Sequence, residues 1–243
     1  MQISPQEMTR VAAAEAPRFD MYTGIHKALR ACMADALLAL GRMDPADEQD
    51  IADVSARLLQ LLGFCAGHLA HENAFVHAAI EARAPGASDA IAHEHQEHLA
   101  DIAALSEQVA TLQACADADR PAAAARLYRE LALFIAGNFQ HMHVEETAHN
   151  AVLWARYTDA ELVAVHDALV ASIPPEEMMG VVRWLVPFMN PVERMHLLAD
   201  IRAKAPAPAF QAMLDGVQQH LGARDWAKLA RDLGLAPVPG LVG

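Results

Sequence analysis

Cysteine is scarce in this 243-residue chain. Cys32, Cys65 and Cys115 are too few and too scattered to form the disulfide framework of a small secreted domain. Cys32 and Cys65 sit among apolar neighbours, where a thiol acts as a small buried hydrophobe. Long apolar runs are missing as well. The greasiest stretch, Met178 to Met189, is interrupted by Arg183 and Pro187 and falls short of the roughly 20 residues a membrane helix needs. The opening Met-Gln-Ile-Ser-Pro has no basic region followed by an apolar block, so no secretory signal is read and a cytoplasmic location is expected. Lys and Arg total 18 against 31 Asp and Glu, without a basic cluster, and the net charge is −13. That balance argues against nucleic acid or an anionic membrane as a partner. Convincing polar–apolar alternation is absent too, so no strand is expected.

What is abundant is helix-forming apolar residue and histidine. Hydrophobic residues make up 54% of the chain, enough for one large domain or a medium domain with a substantial extension. There are thirteen histidines, most of them between His68 and His149. Two phrases repeat: His68-Leu-Ala-His-Glu72 and His141-Met-His-Val-Glu145. In each, a histidine and a glutamate four residues apart stack on one helical face. An ionised glutamate on a core-facing stripe is expensive unless something positive neutralises it.

The periodicity predicts four long helices. The first runs from about Phe19 to Leu40, closed by Gly41 as a cap, with the stripe Tyr22, His26, Leu29, Met33, Ala36 and Leu40. The second, from about Glu48 to Ala82, carries Leu61, Cys65, His68, Glu72, Phe75 and Ala79. After Pro85-Gly86, with Ser88 or Asp89 as cap, the third presents Ile91, His95, His98, Ile102, Leu105, Val109 and Leu112. The fourth, from about Pro121 to Arg156, presents Leu131, Phe134, Asn138, His141, Glu145 and Val152. Such stripes predict an all-α, antiparallel four-helix bundle. Residues 1–156 are read as that bundle with an N-terminal arm. Residues 157–243 are read as a C-terminal helical extension, opening at the capping box Thr158-Asp-Ala-Glu161 and punctuated by Pro174-Pro175, Asn190-Pro191, Pro206 and Pro208. Its Met178, Met179, Trp184 and Phe188 suit either ordinary packing or an interface with a partner or a second copy.

His26, His68, Glu72, His95, His98, His141 and Glu145 all stand where the stripes call for core residues. The two halves mirror one another, each a histidine helix followed by a His-x-x-x-Glu helix. His26 to His68 spans 42 residues and His95 to His141 spans 46. This is the pattern of a bundle interior hosting two metal ions, one per half, with the two glutamates between them. On the third helix, His95, His98 or both serve as ligands. His71, His77, His93, His143 and His149 are expected to be exposed or to stand behind the ligands, and Glu146 to orient one of them. Glu146-Thr-Ala-His149 also fits the Glu-x-x-His of ferritin-like centres, but the first helix offers no matching carboxylate.

In this order of residues, over about 19–156, the chain resembles the hemerythrin-like (HHE cation-binding) family. The resemblance implies a non-haem di-iron site bridged by Glu72 and Glu145, and binding of O2, NO or a related small molecule as carrier or sensor. The oxygen-carrying members use His-x-x-x-His on the third helix and His-x-x-x-x-Asp on the fourth. This chain has His95-Gln-Glu-His98 and His141-x-x-x-Glu145 instead. The glutamate-bridged form looks more like members linked to iron sensing, nitric oxide or repair of iron centres. The N-terminal paired-cysteine segment of the repair proteins is not found here. The same residues would also suit a di-iron enzyme, or a helical interaction module with a structural metal.

Overall fold

The computed structural model describes residues 18–235, apart from the side chains of 175 and 176. The segment read for a secretory signal lies outside the described residues. Among the described residues the chain is helical, without strands. Helix α1 is Thr23–Arg42. Helix α2 covers 48–83 in three stretches: an α-helix Glu48–His71, a π-helical turn Glu72–His77 and an α-helix Ala78–Arg83. Helix α3 is Asp89–Ala114. Helix α4 covers 120–156 in the same way, as Arg120–Val144, a π-helical turn Glu145–His149 and Asn150–Arg156.

Short links between these helices force each to run back along its predecessor. The helices pack α1 on α2, α2 on α3, α3 on α4 and α4 back on α1, which closes the antiparallel four-helix bundle. The apolar stripes face inward: Leu29, Met33, Leu58, Leu61, Leu112, Leu127 and Leu131 are essentially fully buried. Full burial of such a side chain stabilises by about 1.5–3 kcal/mol, so these stripes supply most of the drive for closure. Gly41 is not a cap. It lies inside α1, where a Cβ would come within 3.0 Å of the Tyr128 ring on α4, so it allows two helices to approach. The turn before α3 is closed instead at Gly86, whose φ of 80° favours glycine, with Glu81 accepting from the Gly86 and Ser88 N–H groups and the Ser88 hydroxyl.

Helix α5, Asp159–Ser172, belongs with the bundle, so the first compact unit ends at Ser172 and not at residue 156. The capping box Thr158–Glu161 does form. The helix it starts then buries Leu162 against Met21, Tyr22, Val76, Ile80, Val152 and Leu153, with Val165 and Leu169 packed alongside. Arg18 to Asp159 and Arg83 to Glu161 add ion pairs at 2.6 Å each.

Among the described residues the second unit, from Ile173, holds four short helices: α6 (Pro175–Phe188), α7 (Pro191–Lys204), α8 (Ala207–His220) and α9 (Ala223–Asp232). Its core is Val182, Val186, Leu198, Phe210, Leu214, Val217, Trp226 and Leu229. Met178 packs on that core, whereas Met179 and Phe188 stay exposed, with Phe188 stacked on Trp184. Among the described residues no helix is long and apolar enough to cross a membrane.

Candidate metal centre

The polar breaks in the four stripes meet in the bundle interior. His26 comes from α1, His68 and Glu72 from α2, His95 from α3, and His141 and Glu145 from α4. Two groups of ligand atoms result, His26–His68–Glu72–Glu145 and Glu72–His95–His141–Glu145, each with its atoms within 4.8 Å of one another. Glu72 turns Oε1 toward His68 Nε2 at 3.2 Å and His26 Nε2 at 3.6 Å, and Oε2 toward His95 Nε2 at 3.6 Å. Glu145 does the converse: Oε1 lies 3.3 Å from His141 Nε2 and 3.5 Å from His95 Nε2, and Oε2 lies 3.5 Å from His26 Nε2. Both carboxylates therefore offer one oxygen to each half.

This arrangement fits a cation better than a self-sufficient polar core. His26 Nε2, His68 Nε2 and all four oxygens of Glu72 and Glu145 are buried without a hydrogen-bond partner among the described residues. Native interiors rarely leave so many polar atoms unmet in one place. His95 Nε2 and His141 Nε2 lie 3.0 Å apart, both aimed at a common region.

The outer nitrogens are tied down. His26 Nδ1 is 3.1 Å from Glu146 Oε1, His95 Nδ1 is 2.8 Å from Asn73 Oδ1, and His141 Nδ1 is 2.8 Å from Glu94 Oε2. Each of these oxygens accepts a hydrogen bond from Nδ1–H and turns Nε2 inward, which is how a ligating imidazole is oriented. Arg30 in turn holds both oxygens of Glu146 with its guanidinium fork. Glu146 thus has the orienting role its place beside the motif suggests.

The electrostatics follow from burial and proximity. Burial and the nearby Glu145 charge push the Glu72 carboxyl up to about 8. Burial also acts to raise Glu145, but the adjacent His141 and His95 imidazoles outweigh it and hold that carboxyl well below its ordinary range. Burial opposes charge on His26, yet Glu146 and Glu72 carry it up to about 9. Burial and the neighbouring His26 keep His68 neutral. Glu72 and His26 thus each hold a proton where a metal would displace it.

Three residues depart from the sequence reading. His98 is buried on α3 but enters neither group; its ring packs edge-on to His141, with centroids 4.8 Å apart, and against Phe134. Spacing alone puts His95 and His98 on a shared face, and packing against α4 separates them. His77 and His149, expected to be exposed or to stand behind the ligands, are only 5% and 3% exposed and form a third group with Glu145. For His77 the cause is the π-helical turn, whose i→i+5 bonding makes the fifth residue after Glu72 its neighbour one turn on. His149 was legible: it lies four residues after Glu145 and three before Val152, on the stripe itself.

A four-helix bundle whose interior gathers imidazoles around two shared carboxylates is a helical protein suited to hold cations. In comparison with protein-family models, the Hemerythrin HHE cation-binding domain matches residues 19–150, and the chain belongs to that family. Domains of this family bind metal ions, and the His/Glu groups described above are suited to hold them. No curated protein and no solved structure matches the chain.

Proposed function

We propose that the centre holds two non-haem iron ions, bridged by Glu72 and Glu145, and that the protein binds O2 or NO as a sensor or carrier. The observation that carries this reading is the division of each carboxylate between the two halves. His26 and His68 would terminate one ion, and His95 and His141 the other. Iron is favoured because mixed imidazole and carboxylate ligands leave coordination positions open, whereas structural zinc closes on four ligands, commonly with thiolates. When bound, the iron pair supplies reversible one- and two-electron redox chemistry at an open position.

The chain's own residues do the rest. Glu146, Asn73 and Glu94 fix the imidazole planes of His26, His95 and His141. Leu29 and Cys65, each about one turn from a ligand on its own helix, are buried apolar neighbours that keep bulk water from the site. Exposing the anaerobically reduced, iron-loaded protein to O2 or NO tests the proposal. A spectral change that reverses on removing the gas is expected. Irreversible oxidation without an adduct would assign the centre to turnover instead, and metal content far below two ions per chain would sink the reading.

A further inference from the structure

His77 and His149 are not needed for the pair of ions, yet both are buried beside it. Neither ring nitrogen of His77 has a hydrogen-bond partner among the described residues, although the side chain is in the bundle interior. His77 lies flat on His95, with ring centroids 4.7 Å apart and planes 18° from parallel, and it meets His149 edge-on at 5.4 Å. His149 Nδ1 lies 3.2 Å from the Tyr22 hydroxyl. His77, His149 and Glu145 together bring three ligand atoms within 4.8 Å of one another.

We propose that His77, His149 and Glu145 form a third cation position, for a first-row divalent ion such as Fe2+ or Zn2+, beside the pair and sharing Glu145 with it. Two imidazoles and one carboxylate are a donor set that leaves other positions on the ion open. With its Nδ1–H donating to the Tyr22 oxygen, His149 keeps a lone pair on Nε2 for a metal. A bound ion would also give His77 the partner it lacks. A carboxylate has about four lone-pair directions, so Glu145 can serve a further ion without leaving the other two. Because that ligand is shared and the cations repel one another, the third ion is the weakest bound and the last to load.

The test counts ions. Full-length protein stripped of metal is saturated anaerobically with Zn2+, and bound metal per chain is measured by mass spectrometry for wild type and for a His77→Leu, His149→Phe double variant, with circular dichroism as the check on folding. One ion fewer in the double variant supports the third position; equal counts overturn it. The count left in the variant judges the pair separately, since two ions agree with a bridged pair and fewer do not. If the double variant does not fold, Tyr22→Phe keeps every ligand and removes only the partner of His149. The weakest Zn2+ step should then weaken about ten-fold, as loss of an orienting partner does. An unchanged series of affinities would overturn the proposal.

Discussion

Glu72 and Glu145 each stand at the first residue of a π-helical turn, and each divides its two oxygens between the same two sets of histidines. The turns follow directly after the His-x-x-x-Glu phrases on α2 and α4. They let the α-helical stretch before each glutamate serve the centre and then change the register of the stretch after it.

The two glutamates differ in the metal-free protein. Burial already favours the protonated form of Glu72, so Glu72→Gln should change stability by less than about 1 kcal/mol. Glu145→Gln removes the anion beside His26, His95 and His141 and should cost about 3 kcal/mol. Both variants should lose tight metal binding. Urea unfolding of the stripped proteins and equilibrium dialysis with metal check the contrast.

Stability of the metal-free protein should fall as pH rises from about 6.5 to about 9. His26 titrates near 6.5 when unfolded and at about 9 in the fold, so its contribution is whole below 6.5 and lost by about 9. Glu72, raised from 4.5 to about 8, acts in the same direction until it ionises. Metal binding displaces these protons, so affinity should rise over the same interval. Denaturation at pH 6.5, 8 and 9 with a parallel chelator competition measures both; stability that climbs with pH would contradict the assignment.

Much of the centre was legible in the sequence, because a polar residue on an apolar 3–4 stripe is a conspicuous breach of pattern. His26, His68, Glu72, His95, His141 and Glu145 were all found on that ground, and the structure brings them together. The bundle and its helix order were legible for the same reason. His149 escaped although it lies on the stripe; what else escaped depended on packing or on local backbone bonding. His77 enters the interior only because α2 switches to i→i+5 bonds, and nothing in the spacing announces that switch. The capping box at Thr158 marked a helix start correctly, but a cap says nothing about which core the helix covers, and Leu162 covers the bundle.

The orienting contacts should be measurable through affinity. Glu146→Gln weakens the acceptor of His26 Nδ1 and breaks the charged pair with Arg30, and it should reduce metal affinity about 10- to 100-fold. Arg30→Ala, which leaves Glu146 in place, should have a smaller effect in the same direction. Competition with a chromogenic chelator reads both, with thermal unfolding to separate affinity from fold.

Helix α5 should behave as part of the bundle. Leu162 is fully buried, and Leu162→Ala should destabilise the first unit by about 2–5 kcal/mol. Because Tyr22 and Val76 in the same cluster flank the centre in sequence, metal retention on heating should fall with it. Calorimetry with and without metal checks the effect, and a shift within error would return α5 to the role of an appendage.

The central claim is a pair of ions sharing Glu72 and Glu145. X-ray absorption at the iron edge, on protein loaded anaerobically with two Fe2+ per chain, tests it most directly. The account predicts nitrogen and oxygen neighbours only and an iron–iron vector of about 3.5–4 Å, the spacing of shared two-metal sites. A spectrum without an iron–iron vector at two bound ions per chain would contradict it.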